Sequence, residues 1–278
     1  MSLMLKLLAI TLLLNSSVFA QTRDERVEEF LENSFSNNPN IVTLEVHIVE
    51  KVAVESMKDW NAYIVDINAS VKSKPQNRQV KQKMIWFSNG EVITQDLVNL
   101  TSGESLKELV SPNFKPEYYK KENLIYGNPN AKHKVAIFSD PLCPFCRDFV
   151  PKAVNFMKKD SDKFAVYYYH FPLQSIHPAS VTLVKAAIAA ELKGYKNAIL
   201  DLYTVEVQAN EKDVTKILTA FNRVFKTDIK PSDLELPAVI EHYNSDQSIA
   251  GEVMVQGTPT MFFDGKLDKS KRQYERIK

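Results

Sequence analysis

Cys143 and Cys146 are the only cysteines in the 278-residue sequence, and they stand two residues apart in SDPLCPFCRDF, directly after the apolar run Val135–Phe138. A stapling disulfide would join distant segments, because closing a long loop constrains the unfolded chain most. A two-residue gap closes almost none. Zinc needs about four ligands, and the five histidines include no pair at ligand spacing. A reversible redox couple fits better, because a strand running into C-x-x-C at a helix start is the arrangement that serves one. Unpaired N–H groups and about half a positive charge at the helix N-terminus stabilise a thiolate. Cys143 is therefore expected as the exposed nucleophile and Cys146, one turn along and shielded, as the resolving thiol. Pro144 suits a first helical turn, which needs no N–H from it. Phe145 adds apolar area without charge. These two residues between the cysteines are the ones expected to tune the pair. No cofactor or metal is expected.

Residues 1–20 read as a secretory signal: Lys6, the apolar run Leu7–Leu14, then small residues up to a cleavage site near Ala20. The apolar run is shorter than the roughly 20 residues a bilayer span needs. Export places the chain in a compartment where disulfide chemistry operates. Without Lys6 the rest holds 34 basic and 34 acidic residues. Residues 21–110 carry 10 basic against 14 acidic side chains and the remainder 24 against 20, so neither half has the single-sign charge of a nucleic-acid binder.

Thr22 with Glu25 predicts a capping box opening a helix over Arg23–Phe35. Val42, Leu44, Val46 and Ile48 alternate with polar residues, which predicts a half-buried strand. Asp59–Val71 and Val80–Phe87 read likewise, and Asn89-Gly90 marks a hairpin turn before Glu91–Thr94. His47 falls on a polar face; Trp60 and Trp86 read as core. Residues 21–100 thus form a small α+β unit, and 101–128, interrupted by Pro112 and Pro116, a linker. From 129 to 278 the order is strand, the C-x-x-C helix, the strand Phe164–His170, and several helices. These helices are Ser180–Leu192 closed by Gly194, one begun by Asn210 with Asp213, and one within Ser232–Ile249. Then come the Thr258-Pro259 loop, a strand, a turn at Asp264-Gly265, a short strand and a terminal helix. That is α/β with a helical insertion at about 175–250. Asp140 is expected to shape the strand-to-helix turn, and His170 and His177 to be surface or hydrogen-bonded residues.

CPFC between strand and helix, Pro151 five residues later, and Val255–Thr260 ahead of the next strand resemble the active site, helix-kinking proline and cis-proline loop of the thioredoxin superfamily. The resemblance implies a cis Thr258–Pro259 bond, with that loop packing on the sulfurs and offering backbone groups to a bound substrate segment. The 113 residues from Cys146 to Pro259 resemble the helical insertion of exported bacterial Dsb proteins. Phe171–Gln174, Thr258 and the N-terminal α+β unit resemble the DsbC/DsbG isomerases. That likeness implies a periplasmic homodimer joined through a cystatin-like N-terminal dimerisation domain. It also implies exported client proteins with disulfides, and a DsbD-type membrane partner that keeps the pair reduced. Pro-Phe is not the Gly-Tyr of DsbC and is closer to the Pro-Tyr of DsbG.

Three functions stay open. The first is a disulfide isomerase or reductase working through a Cys143 mixed disulfide that Cys146 resolves. The second is a net oxidase of the DsbA kind, recharged by a DsbB-type partner. The third is a chaperone-like client-binding module in which the redox pair is secondary.

Overall fold

The computed structural model describes residues 22–160, 162–195 and 198–277. The expected signal peptide and its cleavage near Ala20 lie outside the described residues. Helix α1 (Arg23–Ser36) opens with the expected capping box, Glu25 N donating to Thr22 Oγ1 at 3.2 Å and Thr22 N to Glu25 Oε2 at 2.7 Å. Four antiparallel strands follow in the order β1 (Ile41–Ala53), β2 (Asn61–Val71), β3 (Arg78–Ser88) and β4 (Ile93–Thr94). Only Ile93 and Thr94 of the expected Glu91–Thr94 strand pair with β3.

Val27 and Leu31 of α1 bury against Val46, Tyr63, Val65 and Ile67 on one face of this sheet. Each such side chain stabilises by about 2 kcal/mol. Strand β2 was expected to be half-buried; it is covered on both sides. Ala62, Ile64, Ile85 and Phe87 on the second face pack with Leu106 from the following segment and with Met254 from far along the chain.

The segment expected to be a linker carries structure of its own. Short 3-10 turns at Leu106–Leu109, Pro116–Tyr118 and Lys121–Asn123 lead into strand β5 (Leu124–Tyr126). Phe114, 2% exposed, sits edge-on to Tyr118, Tyr119, Phe138 and Tyr169 and tilted against Phe262. The chain then passes Gly127, whose backbone lies so close to Phe164 that a Cβ there would fall 1.9 Å from its carbonyl oxygen.

A second sheet has the order β5, β7 (Phe164–His170), β6 (His133–Ser139), β8 (Thr260–Phe263) and β9 (Lys266–Leu267). Strands β6 and β7 are parallel and the other pairs antiparallel. Helix α2 (Pro144–Met157) connects β6 to β7, as a parallel crossover requires. Its Cys146, Val150, Ala153, Val154 and Met157 cover one face of the sheet. Ile249 and Ala250 of α6 (Pro237–Glu252) and Val253 just after it, with Phe114, cover the other.

Between β7 and β6's antiparallel neighbour β8 lie α3 (Pro178–Leu192), α4 (Ala198–Leu202), α5 (Val214–Phe225) and α6. They share a core in which Phe221 and Phe225 stack at 3.9 Å. Asp213 alone caps α5, accepting from Thr215 N and Lys216 N, so Asn210 does not take the expected part. The expected terminal helix is a single 3-10 turn, Gln273–Arg276.

The two sheets are joined by more than the chain. Ser111 Oγ donates to Val253 O at 2.8 Å, Asn113 N to Glu50 Oε2 at 3.0 Å, and Lys83 pairs with Glu252 at 3.4 Å.

Candidate active site

Strand β6 is buried on both faces from Val135 to Ser139, which is why it reads as an unbroken apolar run. Directly after it stands Asp140, whose side chain is fully buried. Oδ1 accepts from Leu142 N at 2.7 Å and Ser180 Oγ at 2.6 Å; Oδ2 accepts from Leu173 N at 2.7 Å and pairs with His177 Nδ1 at 3.0 Å. One side chain thus gathers the turn before α2, the exit of β7 and the first turn of α3. Arg147 adds a second tie from α2, donating through Nε to Pro141 O at 2.8 Å and through Nη2 to Val205 O at 2.6 Å.

This frame holds Cys143 at the N-cap of α2, with Pro144 at the first helical position. The helix offers no side-chain cap there, so its unpaired N–H groups face the sulfur's end of the helix. Cys143 is not the exposed thiol expected: it is 5% exposed, and Cys146 is fully buried. What projects is Phe145, 76% exposed. Pro151 lies within the helix, where it supplies no N–H to Arg147.

Across from α2, the Thr258–Pro259 peptide bond is cis. Cys143 Sγ donates to the Thr258 carbonyl at 3.7 Å, and Thr260 Oγ1 closes the loop onto Gly257 O at 2.7 Å. The structure therefore brings together Cys143, Cys146, Thr258 and Pro259, with Pro144 and Phe145 between the cysteines.

Burial pushes the Cys146 thiol up to about 11, and the neighbouring Cys143 adds to that. The Ser139 and Thr258 hydroxyls and the Asp140 backbone oppose it by favouring the charged sulfur. Thr258 Oγ1 is itself buried without a hydrogen-bond partner. Among the described residues no three His, Cys, Asp or Glu side chains converge as a metal-ligand set.

Several residues of this site left no mark in the sequence. Tyr203, after α4, lies 2.6 Å from Ser139 Oγ and 2.9 Å from Tyr168 OH. His170, expected as a surface or hydrogen-bonded residue, is not at the surface: it is 1% exposed, its backbone N–H donates to Asp246, its Nδ1 lacks a partner, and burial holds it neutral, well below the usual histidine range.

A central strand delivering C-x-x-C to the first turn of a crossover helix, opposite a cis-proline loop, defines a thioredoxin-like α/β fold. The chain belongs to the thioredoxin family, whose model matches residues 120–278. A thioredoxin-like oxidoreductase from Silicibacter pomeroyi is similar at 22% identity, over 58% of this chain and 96% of that one, with a TM-score of 0.46. Proteus mirabilis ScsC in a compact conformation is similar at 19% identity, over 58% and 73%, with a TM-score of 0.46. BdbD from Bacillus subtilis is similar at 21% identity, over 60% and 93%, with a TM-score of 0.43. A curated relative, Na(+)/H(+) antiporter NhaA 1 of Mycolicibacterium gilvum, is 24% identical over 147 residues, which are 51% of this chain and 23% of that protein. The chain thus spans about a quarter of that relative's length. Among the described residues no helix is long and apolar enough to cross a membrane.

Proposed function

We propose that this chain is a thiol–disulfide oxidoreductase acting on protein disulfides, working chiefly as an isomerase or reductase. The observation that carries the reading is the placement of Cys143 at the start of α2, 3.7 Å from the Thr258 carbonyl, with Cys146 buried behind it. The Cys143 thiolate attacks one sulfur of a client disulfide, and the other client sulfur leaves as a thiolate with the electron pair. A second client thiol then displaces Cys143, which is isomerisation. Alternatively Cys146 attacks Cys143, the internal disulfide forms, and both client thiols leave reduced. The cis-proline loop positions the client segment through its backbone, and Phe145 gives it an apolar surface.

The isomerase branch, of DsbC/DsbG type, is favoured by Thr258 and by the separate N-terminal sheet. In this reading the protein acts in the periplasm on exported clients, and a DsbD-type membrane partner keeps the pair reduced. The N-terminal unit joins two copies through β1. Among the described residues that strand is the edge of its sheet, with Val42 and Val49 about half exposed and the Ile48 N–H taken by Glu28, and sheet edges invite strand addition.

The test is the redox state of the Cys143–Cys146 pair trapped in cells, alongside scrambled-disulfide refolding in vitro. A mostly reduced pair and isomerase activity lost in Cys143→Ala are expected. A mostly oxidised pair would make the chain a net oxidase with a DsbB-type partner. Client protection from aggregation that survives Cys143→Ala, without any redox phenotype, would leave a chaperone-like binder.

A further inference from the structure

Three segments far apart in sequence meet at the start of β6 and leave a cavity of about 410–490 Å³ class size between them, 490 Å³ by volume. The segment after Asn113 is pinned there by Phe114 N, which donates to Gly265 O at 2.7 Å. Gly265 has a φ of 83°, and a Cβ on it would stand 3.1 Å from Phe114 O, so glycine is what lets the turn between β8 and β9 come this close. The third segment is the lead into β6. Lys134 N donates to Asp264 Oδ1 at 2.8 Å, and Asp264 N returns a bond to Lys134 O at 2.8 Å. Phe114 and Tyr119 give the cavity an aromatic lining. The Tyr119 ring is held edge-on to Phe114 at 4.7 Å and tilted against Tyr167 at 4.9 Å, so that lining is fixed by the core behind it.

Each segment also brings lysine to the cavity: Lys115 from the first, Lys132 and Lys134 from the lead into β6, and Lys266 from the turn. The one carboxylate in the lining is Asp264, and both its oxygens are engaged, Oδ1 by Lys134 N and Oδ2 by His133 Nδ1 at 2.7 Å. Glu117, close to Lys115 in sequence, is outside the lining. Among the described residues none of the four ammonium groups forms an ion pair. Lys134 Nζ lies instead 5.1 Å from the centre of the Tyr119 ring. Four like charges brought together without a counter-charge repel one another, and an anion between them removes that cost.

We propose that this cavity binds a small organic anion, a flat apolar or aromatic body carrying an acid group. The body lies against Phe114 and Tyr119, and the acid group meets Lys134 and Lys266. Both halves of the ligand follow from the lining. An inorganic anion would answer the lysines and leave the aromatic surface in water, and a neutral aromatic would do the reverse. The volume falls in the range of small-molecule sites, roughly 300–1,000 Å³. The cavity is separate from the cysteines, because roughly 17 Å of extended strand runs from Lys134 to Ser139 and Cys143 lies beyond it. The proposal therefore does not depend on the oxidoreductase reading. A ligand that touches all three segments fastens the chain ahead of β5 to the second sheet, so it stabilises the folded protein.

The experiment uses the full chain with naphthoate as probe, followed by calorimetry and by thermal unfolding. Naphthylmethanol, which lacks the charge, and inorganic phosphate, which lacks the ring, are run beside it. Naphthoate is expected to saturate one site, to raise the unfolding temperature, and to bind about tenfold tighter than either comparison compound. Its affinity should fall as salt is added, because the lysines are near solvent and screened. Lys134→Gln and Lys266→Gln are each expected to weaken it about fivefold, with turnover of oxidised glutathione unchanged. Lys266 is exposed, so its variant reads the site even if Lys134→Gln disturbs β6. Naphthoate that binds no tighter than the alcohol or phosphate overturns the proposal, as does an affinity that neither substitution alters. The absence of saturable binding up to about 10 mM overturns it too.

Discussion

Asp140 and Ser180 are hydrogen-bonded at 2.6 Å across the core, tying the turn before the cysteines to the first turn of α3. The same carboxylate holds two backbone N–H groups and His177. Replacing it with alanine strands all four partners. Asp140→Ala is expected to destabilise the fold by about 3 kcal/mol or more, and Asp140→Asn by distinctly less, because it keeps one acceptor. Urea unfolding measures both; equal and small losses would show that the turn holds itself.

Phe145 is where site chemistry and stability separate. Its ring is largely in solvent, so Phe145→Ala is expected to change stability by no more than about 0.5 kcal/mol. Turnover of a protein disulfide should drop while reaction with a small disulfide such as oxidised glutathione stays near wild type. Parallel losses with both substrates would mean that the ring acts on the cysteines rather than on the client.

Asp246 on α6 makes stability depend on pH. It is fully buried, accepting from Asn123 Nδ2 at 2.7 Å and His170 N at 2.8 Å, and burial pushes its carboxyl up to about 8 from an ordinary 3.8. The folded state therefore binds a proton that the unfolded chain has released. The stabilisation is complete below about pH 4 and is lost as pH rises through about 8. Glu191, pushed up to about 7 by burial, has the same sign. His170, held neutral, has the opposite one: its contribution is lost as pH falls below the usual histidine range. In Asp246→Asn the loss of stability between about pH 5 and about pH 8 should shrink by on the order of 2 kcal/mol. Denaturant midpoints across that range decide it, and an unchanged slope would remove Asp246 from the account.

Phe114 fastens the segment between the two sheets. Phe114→Ala removes the hub of five ring contacts and is expected to cost about 3–5 kcal/mol. Phe114→Leu should recover much of that by keeping apolar volume. Thermal unfolding of the two variants compares them, and near-wild-type behaviour of the alanine form would show that the rings close over the gap.

Local signals in the sequence were legible where the physics is local. The capping box at Thr22 and Glu25, the apolar run of β6, and CPFC at a helix start involve residues within a few positions of one another. Thr258-Pro259 was legible through its resemblance to a known loop. What stayed hidden depends on distant partners. Strand β2 alternates as a half-buried strand would, and its second cover, Met254, comes from the far end of the chain. Strand β5 is three residues inside a Pro-interrupted stretch, and its pairing with β7 defines it. Cys143 reads as an exposed thiol from its helix position alone, but the cis-proline loop closes over it. Tyr203 carries no pattern that marks it; folding the insertion back on Ser139 makes it part of the site.

Met254 completes the second face of the N-terminal sheet while standing four residues before Thr258. The cis-proline loop and the first sheet therefore share a wall. Cutting the chain between them would be a core lesion as much as a removal, opening an apolar hole beside Ile64 and Phe87 and baring a thioether next to the loop. A shortened protein that loses activity would thus report damage to the loop's footing before it reported anything about assembly. Charges placed on the edge of β1, in the intact chain, separate the two questions cleanly.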